Sequence, residues 1–147
     1  MRRYLLRGLI CMSILALLGA GCGDPADDAT SSGGSSDRVD TLKIEVRARD
    51  GADPQTATLR CGMAPEATGY IKDAAGACQT VDASKQVLIH GPPDNIACTE
   101  IYGGPQQAHI MGTLDGQRVD LMVTRTDGCA IALWDELEPL LGVAPIA

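Results

Sequence analysis

The chain has 147 residues, six cysteines and no phenylalanine, and carries a formal net charge of −7. An acidic surface repels nucleic acid and anionic lipid headgroups, so nucleic-acid partners are excluded and any membrane contact needs an anchor other than charge. With aromatics at 3% of the sequence, the core has to be built from aliphatic side chains.

Arg2, Arg3 and Arg7 give a positive start, and the apolar run over residues 9–18 is too short to cross a bilayer comfortably, so residues 1–21 read as an export signal. Gly19, Ala20 and Gly21 then precede Cys22 as small residues do in bacterial lipoprotein signals, which marks Cys22 for lipidation, with plain secretion as the alternative. Loss of residues 1–21 removes three arginines and leaves 9 basic against 19 acidic residues, a net of −10. Residues 22–40 follow as the lipidated cysteine and a linker. Its Ser, Gly and Asp content can bury almost nothing, and its root-mean-square reach is about 25 Å. One folded domain is expected over residues 41–147, outside the cytoplasm, either held at the cell membrane by its lipid alone or secreted.

Within that domain, residues 41–49 alternate Leu42, Ile44, Val46 and Ala48 against Lys43, Glu45, Arg47 and Arg49, the period of a half-buried strand. Residues 56–61 repeat the pattern more weakly through Ala57, Leu59 and Cys61, which predicts a hairpin around the polar residues 50–55. Helical spacing of Ala74, Ala77, Cys78 and Val81 predicts a helix over residues 72–81, and residues 87–89 read as a short strand. Residues 109–114 and 118–126 flank Asp115-Gly116, a strong hairpin signal, with Val119, Leu121 and Val123 on one face. Leu133, Trp134, Leu137 and Leu141 predict a last helix over residues 130–141, disturbed in its final turn by Pro139.

Cys11 leaves with the signal and Cys22 is taken by lipid, so Cys61, Cys78, Cys98 and Cys129 remain. Four cysteines in an exported small domain mean two disulfides, and three pairings are open. There is no C-x-x-C pair, and spacings of 17, 20 and 31 do not gather zinc ligands locally, so no metal and no other cofactor is called for.

Catalysis lacks a carrier. Ser84 is the only serine beyond the linker and has no nucleophile-elbow glycines; His90 and His109, the only histidines, read as structural. Asp135, Glu136 and Glu138 read as the solvated face of the last helix. The chain is therefore not read as an enzyme.

The ordered motifs Thr58-Leu59-Arg60-Cys61, Asp73-Ala74-Ala75-Gly76-Ala77-Cys78, Cys98 with Tyr102 and Pro105, Leu114-Asp115-Gly116-Gln117-Arg118-Val119 and Cys129 resemble the subtilisin inhibitor-like family of actinobacteria. The resemblance spans roughly residues 42–134. It implies an α+β fold, a five-stranded antiparallel sheet covered by two helices, with disulfides Cys61–Cys78 and Cys98–Cys129; because members usually dimerise, it leaves a homodimer open. It further implies a serine protease inhibitor with its reactive bond between Glu100 and Ile101, on a loop formed by Cys98, Thr99, Tyr102, Gly103, Gly104 and Pro105. In physical terms, such an inhibitor offers an already rigid substrate-like segment, so binding orders little. Cys98 and packing around Tyr102 and Pro105 are expected to hold the two ends for religation.

Three positions depart from the family's pattern. Glu100 stands where an apolar or basic residue is usual, which points away from a subtilisin-like protease and toward a glutamate-specific one, since an unpaired carboxylate in an apolar pocket costs several kcal/mol. Thr99 replaces a proline. Gly103-Gly104 replaces an acidic residue with one residue added, a change expected to loosen the loop by about 1 to 2 kcal/mol. A surface lipoprotein that keeps the scaffold as a binding module, with inhibition lost, is the alternative function.

Overall fold

The structure is a computed structural model that describes residues 39–142. The expected signal segment, Cys22 and the linker as far as residue 38 lie outside the described residues, as do residues 143–147. Five strands, β1 (Asp40–Arg47), β2 (Gln55–Cys61), β3 (Glu66–Gly69), β4 (Gln107–Leu114) and β5 (Gln117–Thr124), alternate in chain order with helices α1 (Ala74–Ala83) and α2 (Lys85–His90), placed before β4, and α3 (Gly128–Glu136) and α4 (Glu138–Leu141), placed after β5. The strands form one antiparallel sheet in the order β3-β2-β1-β4-β5, and the fold is α+β.

Register follows from the alternation. Ile44 on the central strand faces Ala57 on one side and Ile110 on the other, and Ile110 in turn faces Leu121, so the apolar residues of four strands share one face. A slip by one residue would turn every one of them to solvent. The Asp115-Gly116 pair makes the two-residue turn between β4 and β5, where Leu114 pairs with Gln117. The first hairpin closes as expected from β1 into β2, with Val46 opposite Gln55.

The helices cover the apolar face. Val81, Leu88, Trp134, Leu137, Leu140 and Leu141 are fully buried against Leu42, Ile44, Leu59, Ile110 and Val119, and Trp134 is the one aromatic in an otherwise aliphatic core. Each buried side chain of this size contributes about 1.5 to 3 kcal/mol. Tyr70 sits at the edge, where its hydroxyl donates to the Leu140 carbonyl at 3.0 Å and burial pushes its ionisation upward. The opposite face of the sheet is polar. Glu45 pairs with Lys43 and Arg47, and Asp120 with Arg118 and His109.

Both helical regions are broken in two. Asp73 caps α1 by accepting from the Gly76 amide at 2.9 Å, and the helix runs to Ala83, two residues further than expected. Ser84 then makes the joint. Its amide donates to the Thr80 carbonyl, its own carbonyl accepts from Leu88, and its hydroxyl donates to Glu136 at 2.7 Å. The expected strand over residues 87–89 is corrected by this arrangement: Val87, Leu88 and Ile89 are helical, in α2. A short apolar run cannot by itself be told from a buried helical turn, and here the backbone of α1 leads straight into it. At the other end, Leu137 joins α3 to α4, with Pro139 in the first turn of α4, where its missing amide has no intrahelical partner to lose. Strand β3 leaves no trace in the sequence pattern, since residues 66–69 carry no alternating apolar face.

Two disulfides pair Cys61 with Cys78 and Cys98 with Cys129. The first ties β2 to α1. The second ties the long connection between α2 and β4 to the first turn of α3.

Candidate functional site

That connection, residues 91–106, is exposed from Pro92 through Tyr102. It starts where Gly91 ends α2, and Ile96, half exposed, lines an open groove of ≈ 710 Å³ together with Val87, Pro93, Met122, Ala130 and Leu133. Beyond Ile96 the backbone is fixed at two points.

The first anchor is built by the start of α3. The carboxylate of Asp127 accepts from the amides of Cys129 and Ala130, both at 2.9 Å, and so satisfies two of the first-turn donors that a helix leaves without internal partners. The next such donor, Gly128 N–H, is free to turn outward, and it donates to the Thr99 carbonyl at 2.9 Å. A Cβ on Gly128 would meet the Thr99 hydroxyl, so a larger residue there requires that side chain to turn away. One residue earlier, Cys98 is bonded to Cys129. The Thr99 position therefore has a covalent tie on one side and a helix-start hydrogen bond of its own.

The second anchor is Gly103. Its amide donates to the Arg125 carbonyl at 2.8 Å, and its carbonyl accepts from Arg125 Nε at 3.2 Å. A Cβ on Gly103 would lie 2.7 Å from Cγ1 of Ile131, so only glycine lets the loop lie this close to α3. Of the pair Gly103-Gly104, expected to loosen the loop, Gly103 is held by two hydrogen bonds to Arg125.

Between the anchors stand Glu100, Ile101 and Tyr102. Ile101 is 58% exposed and Tyr102 66%, and among the described residues no group pairs or hydrogen-bonds with the Glu100 carboxylate. Packing around Tyr102 and Pro105 is therefore not what holds the loop: both side chains are exposed, and the restraint comes from Cys129, Gly128 and Arg125. Tyr102, Gly104 and Pro105 line a smaller open cleft with Asp50 and Thr126.

The other chemistry-bearing residues are dispersed. Ser84 is 3% exposed and bonded to Glu136, His109 lies on the polar face of the sheet with Asp120 2.7 Å away, and His90 is exposed at the end of α2. Asp135 meets Arg125 at 3.4 Å and Glu138 opens α4. Cys98, Asp127 and Cys129 have the ligand types for a metal, but both sulfurs are spent in the disulfide and the carboxylate caps α3.

No protein-family model and no curated protein sequence matches the chain. Among solved structures it is similar to Streptomyces caespitosus sermetstatin in complex with Bacillus licheniformis subtilisin, at 19% identity and a TM-score of 0.47, over 71% of this chain and 99% of that chain. The resemblance to the subtilisin inhibitor-like family rests on the motifs of the sequence.

Arg125, Asp127, Gly128 and Ile131, on which the loop leans, were not singled out in the sequence. An acidic residue followed by glycine ahead of an apolar run is a helix-start signal that could have found Asp127 and Gly128. Arg125 carried no local signal, because its role depends on a residue 22 positions away.

Proposed function

We propose that this protein inhibits a serine protease by presenting the Glu100–Ile101 bond as a substrate that is cut and resealed. The observation that carries the reading is the three-residue arch: an exposed Glu100-Ile101-Tyr102 segment whose backbone is tied at Thr99 to Gly128 and at Gly103 to Arg125, with the Cys98–Cys129 bridge directly before it.

A serine protease needs an extended, accessible segment with a carbonyl open to attack. Ordering such a segment from a flexible chain costs about 1 to 2 kcal/mol per residue, and a segment already tied at both ends is spared much of that. When the serine oxygen bonds to the Glu100 carbonyl carbon, the bond to the Ile101 nitrogen breaks and the amine takes up a proton. In an ordinary substrate that amine diffuses away. Here it belongs to a chain end two residues from Gly103, while the acyl end is one residue from Thr99. The amine stays close enough to attack the acyl carbon in turn, expelling the serine oxygen and restoring the peptide.

Glu100 occupies the position whose side chain enters the protease's specificity pocket. Its carboxylate calls for a pocket that supplies cationic or strongly donating groups, so a protease that prefers glutamate is the natural target. The test is to mix the full chain with a glutamate-specific serine protease, trypsin and subtilisin, and to follow residual activity together with the mass of the inhibitor. Stoichiometric loss of the glutamate-specific activity, with slow nicking at Ile101, is expected. Full activity of all three enzymes, or rapid complete digestion of the loop, overturns the reading.

A further inference from the structure

Arg125 lies just past the end of β5, far in sequence from the arch, and it makes four contacts at once. Its carbonyl accepts from the Gly103 amide at 2.8 Å, and its Nε donates to the Gly103 carbonyl at 3.2 Å. Its guanidinium stacks over the ring of Trp134 with 5.6 Å to the ring centroid, and its Nη1 lies 3.4 Å from the Asp135 carboxylate. Its side chain is only 20% exposed. Trp134 is fully buried and Asp135 is its neighbour on α3, so the far end of the arginine is seated on the core while its near end grips both polar atoms of one loop residue. The planar guanidinium suits this double use, since it can stack on an aromatic face and donate along its edge from one orientation.

Resting on the reading of the arch as a protease-directed loop, we infer that Arg125 is a positioning residue that holds the Ile101 side of the cut loop in place for resealing, by clamping Gly103 against the Trp134 face of α3. After scission, the Ile101 amine is tethered through Tyr102 to Gly103. The acyl side needs no such clamp, because Cys98 is covalently bound to Cys129. Arg125 is the noncovalent counterpart of that disulfide. It limits the freedom that the amine end gains once the bond is cut, which favours the intact form at equilibrium, and it does not touch the bond itself.

The tests are made on the full chain with Arg125→Met, which keeps an aliphatic stem but removes the donor and the charge, and with Arg125→Lys, which keeps a cation but lacks Nε. Two quantities are measured. One is the exchange rate of the Gly103 amide by NMR without any protease. The other is the equilibrium ratio of cut to intact inhibitor with a catalytic amount of glutamate-specific protease, approached from both the intact and the cut form. A charge-assisted hydrogen bond contributes about 1.5 to 3 kcal/mol, so Arg125→Met is expected to raise both quantities by about tenfold to a hundredfold, with Arg125→Lys in between. As a control for general destabilisation, Val81→Ala in the core is expected to lower the melting temperature and leave the ratio unchanged.

An unchanged ratio in Arg125→Met overturns the inference, whether or not Gly103 exchange rises. If Arg125→Met does not fold, Arg125→Lys carries the same comparison in the same direction. If the wild-type loop is neither cut nor resealed by any protease, it is the reading of the arch that fails; unchanged Gly103 exchange in Arg125→Met then shows separately that the side chain adds nothing to the backbone bond that holds Gly103.

Discussion

The two disulfides span different lengths of chain, and that makes them separable by experiment. Cys98–Cys129 closes a separation of 31 residues and Cys61–Cys78 one of 17. The loop-entropy relation gives about 3.7 kcal/mol for the longer bridge and about 3.1 kcal/mol for the shorter. For a domain of this size, at about 4 °C per kcal/mol, the double replacements Cys98→Ser with Cys129→Ser and Cys61→Ser with Cys78→Ser are expected to lower the melting temperature by similar amounts, about 15 °C and about 12 °C. Their effects on the arch differ. Only the first frees residue 98 on the approach to the bond, while Thr99 keeps its hydrogen bond from Gly128, and ordering one backbone residue costs about 1 to 2 kcal/mol. That corresponds to about a fivefold to thirtyfold faster net turnover of the inhibitor. The assay is circular dichroism for the melting temperature and mass spectrometry for scission at Ile101, run well below both transitions with a glutamate-specific protease. Equal scission rates in the two variants, at comparable stability, would refute the claim that the Cys98–Cys129 bridge serves the loop as well as the fold.

Three further outcomes are expected. Glu100→Met removes the carboxylate whose burial unpaired costs several kcal/mol, so it is expected to tighten binding to subtilisin by on the order of a hundredfold and to weaken binding to a glutamate-specific protease, as measured by titration of both activities. Gly103→Ala drives a Cβ into Ile131 and is expected to cost about 1 to 3 kcal/mol of stability. The double variant with Ile131→Ala is expected to cost less than the sum of the two single changes, read from denaturant unfolding in a double-mutant cycle. Hydrogen bonds from His109 and Arg118 hold Asp120 below its ordinary value of 3.8, so its contribution to stability is complete above that pH and fades as the pH falls through the lowered value. The difference in unfolding midpoint between wild type and Asp120→Asn is therefore expected to shrink below about pH 4; a difference that grows there contradicts the assignment.

Much of the sheet could be read from the sequence, because β1, β2 and β5 each present Leu, Ile, Val or Ala at alternate positions and the Asp-Gly turn fixes the register of β4 against β5. The helix run of residues 87–89 misled because three apolar residues, two of them β-branched, satisfy either period. Strand β3 was invisible because Glu66, Ala67, Thr68 and Gly69 bury too little to leave a pattern. At the candidate site, Cys98, Glu100 and Ile101 enter through the family resemblance, whereas the residues that restrain the loop carry no such motif. Arg125 reads as an ordinary charge after a strand until α3 folds back over it, and Gly103 reads as a source of flexibility until Ile131 is seen against it. Contacts of this kind are properties of the assembled chain and leave no periodic trace.

The place of the arch within the chain order divides the molecule in a particular way. Everything before Ile101 supplies β1, β2, β3, α1 and α2, and everything after it supplies β4, β5, α3 and α4. The strand ladder from Thr41 opposite Thr113 to Arg47 opposite Gln107 is the one seam of the sheet where the two portions meet, and it runs through the middle of the hydrophobic layer. A molecule cut at Ile101 would consist of two pieces that share this ladder and stay joined by the Cys98–Cys129 bridge, so separating them calls for reductant as well as denaturant. The same partition makes the two portions a natural pair for split-protein complementation, with oxidation of the Cys98 and Cys129 thiols to one interfragment disulfide as the latch.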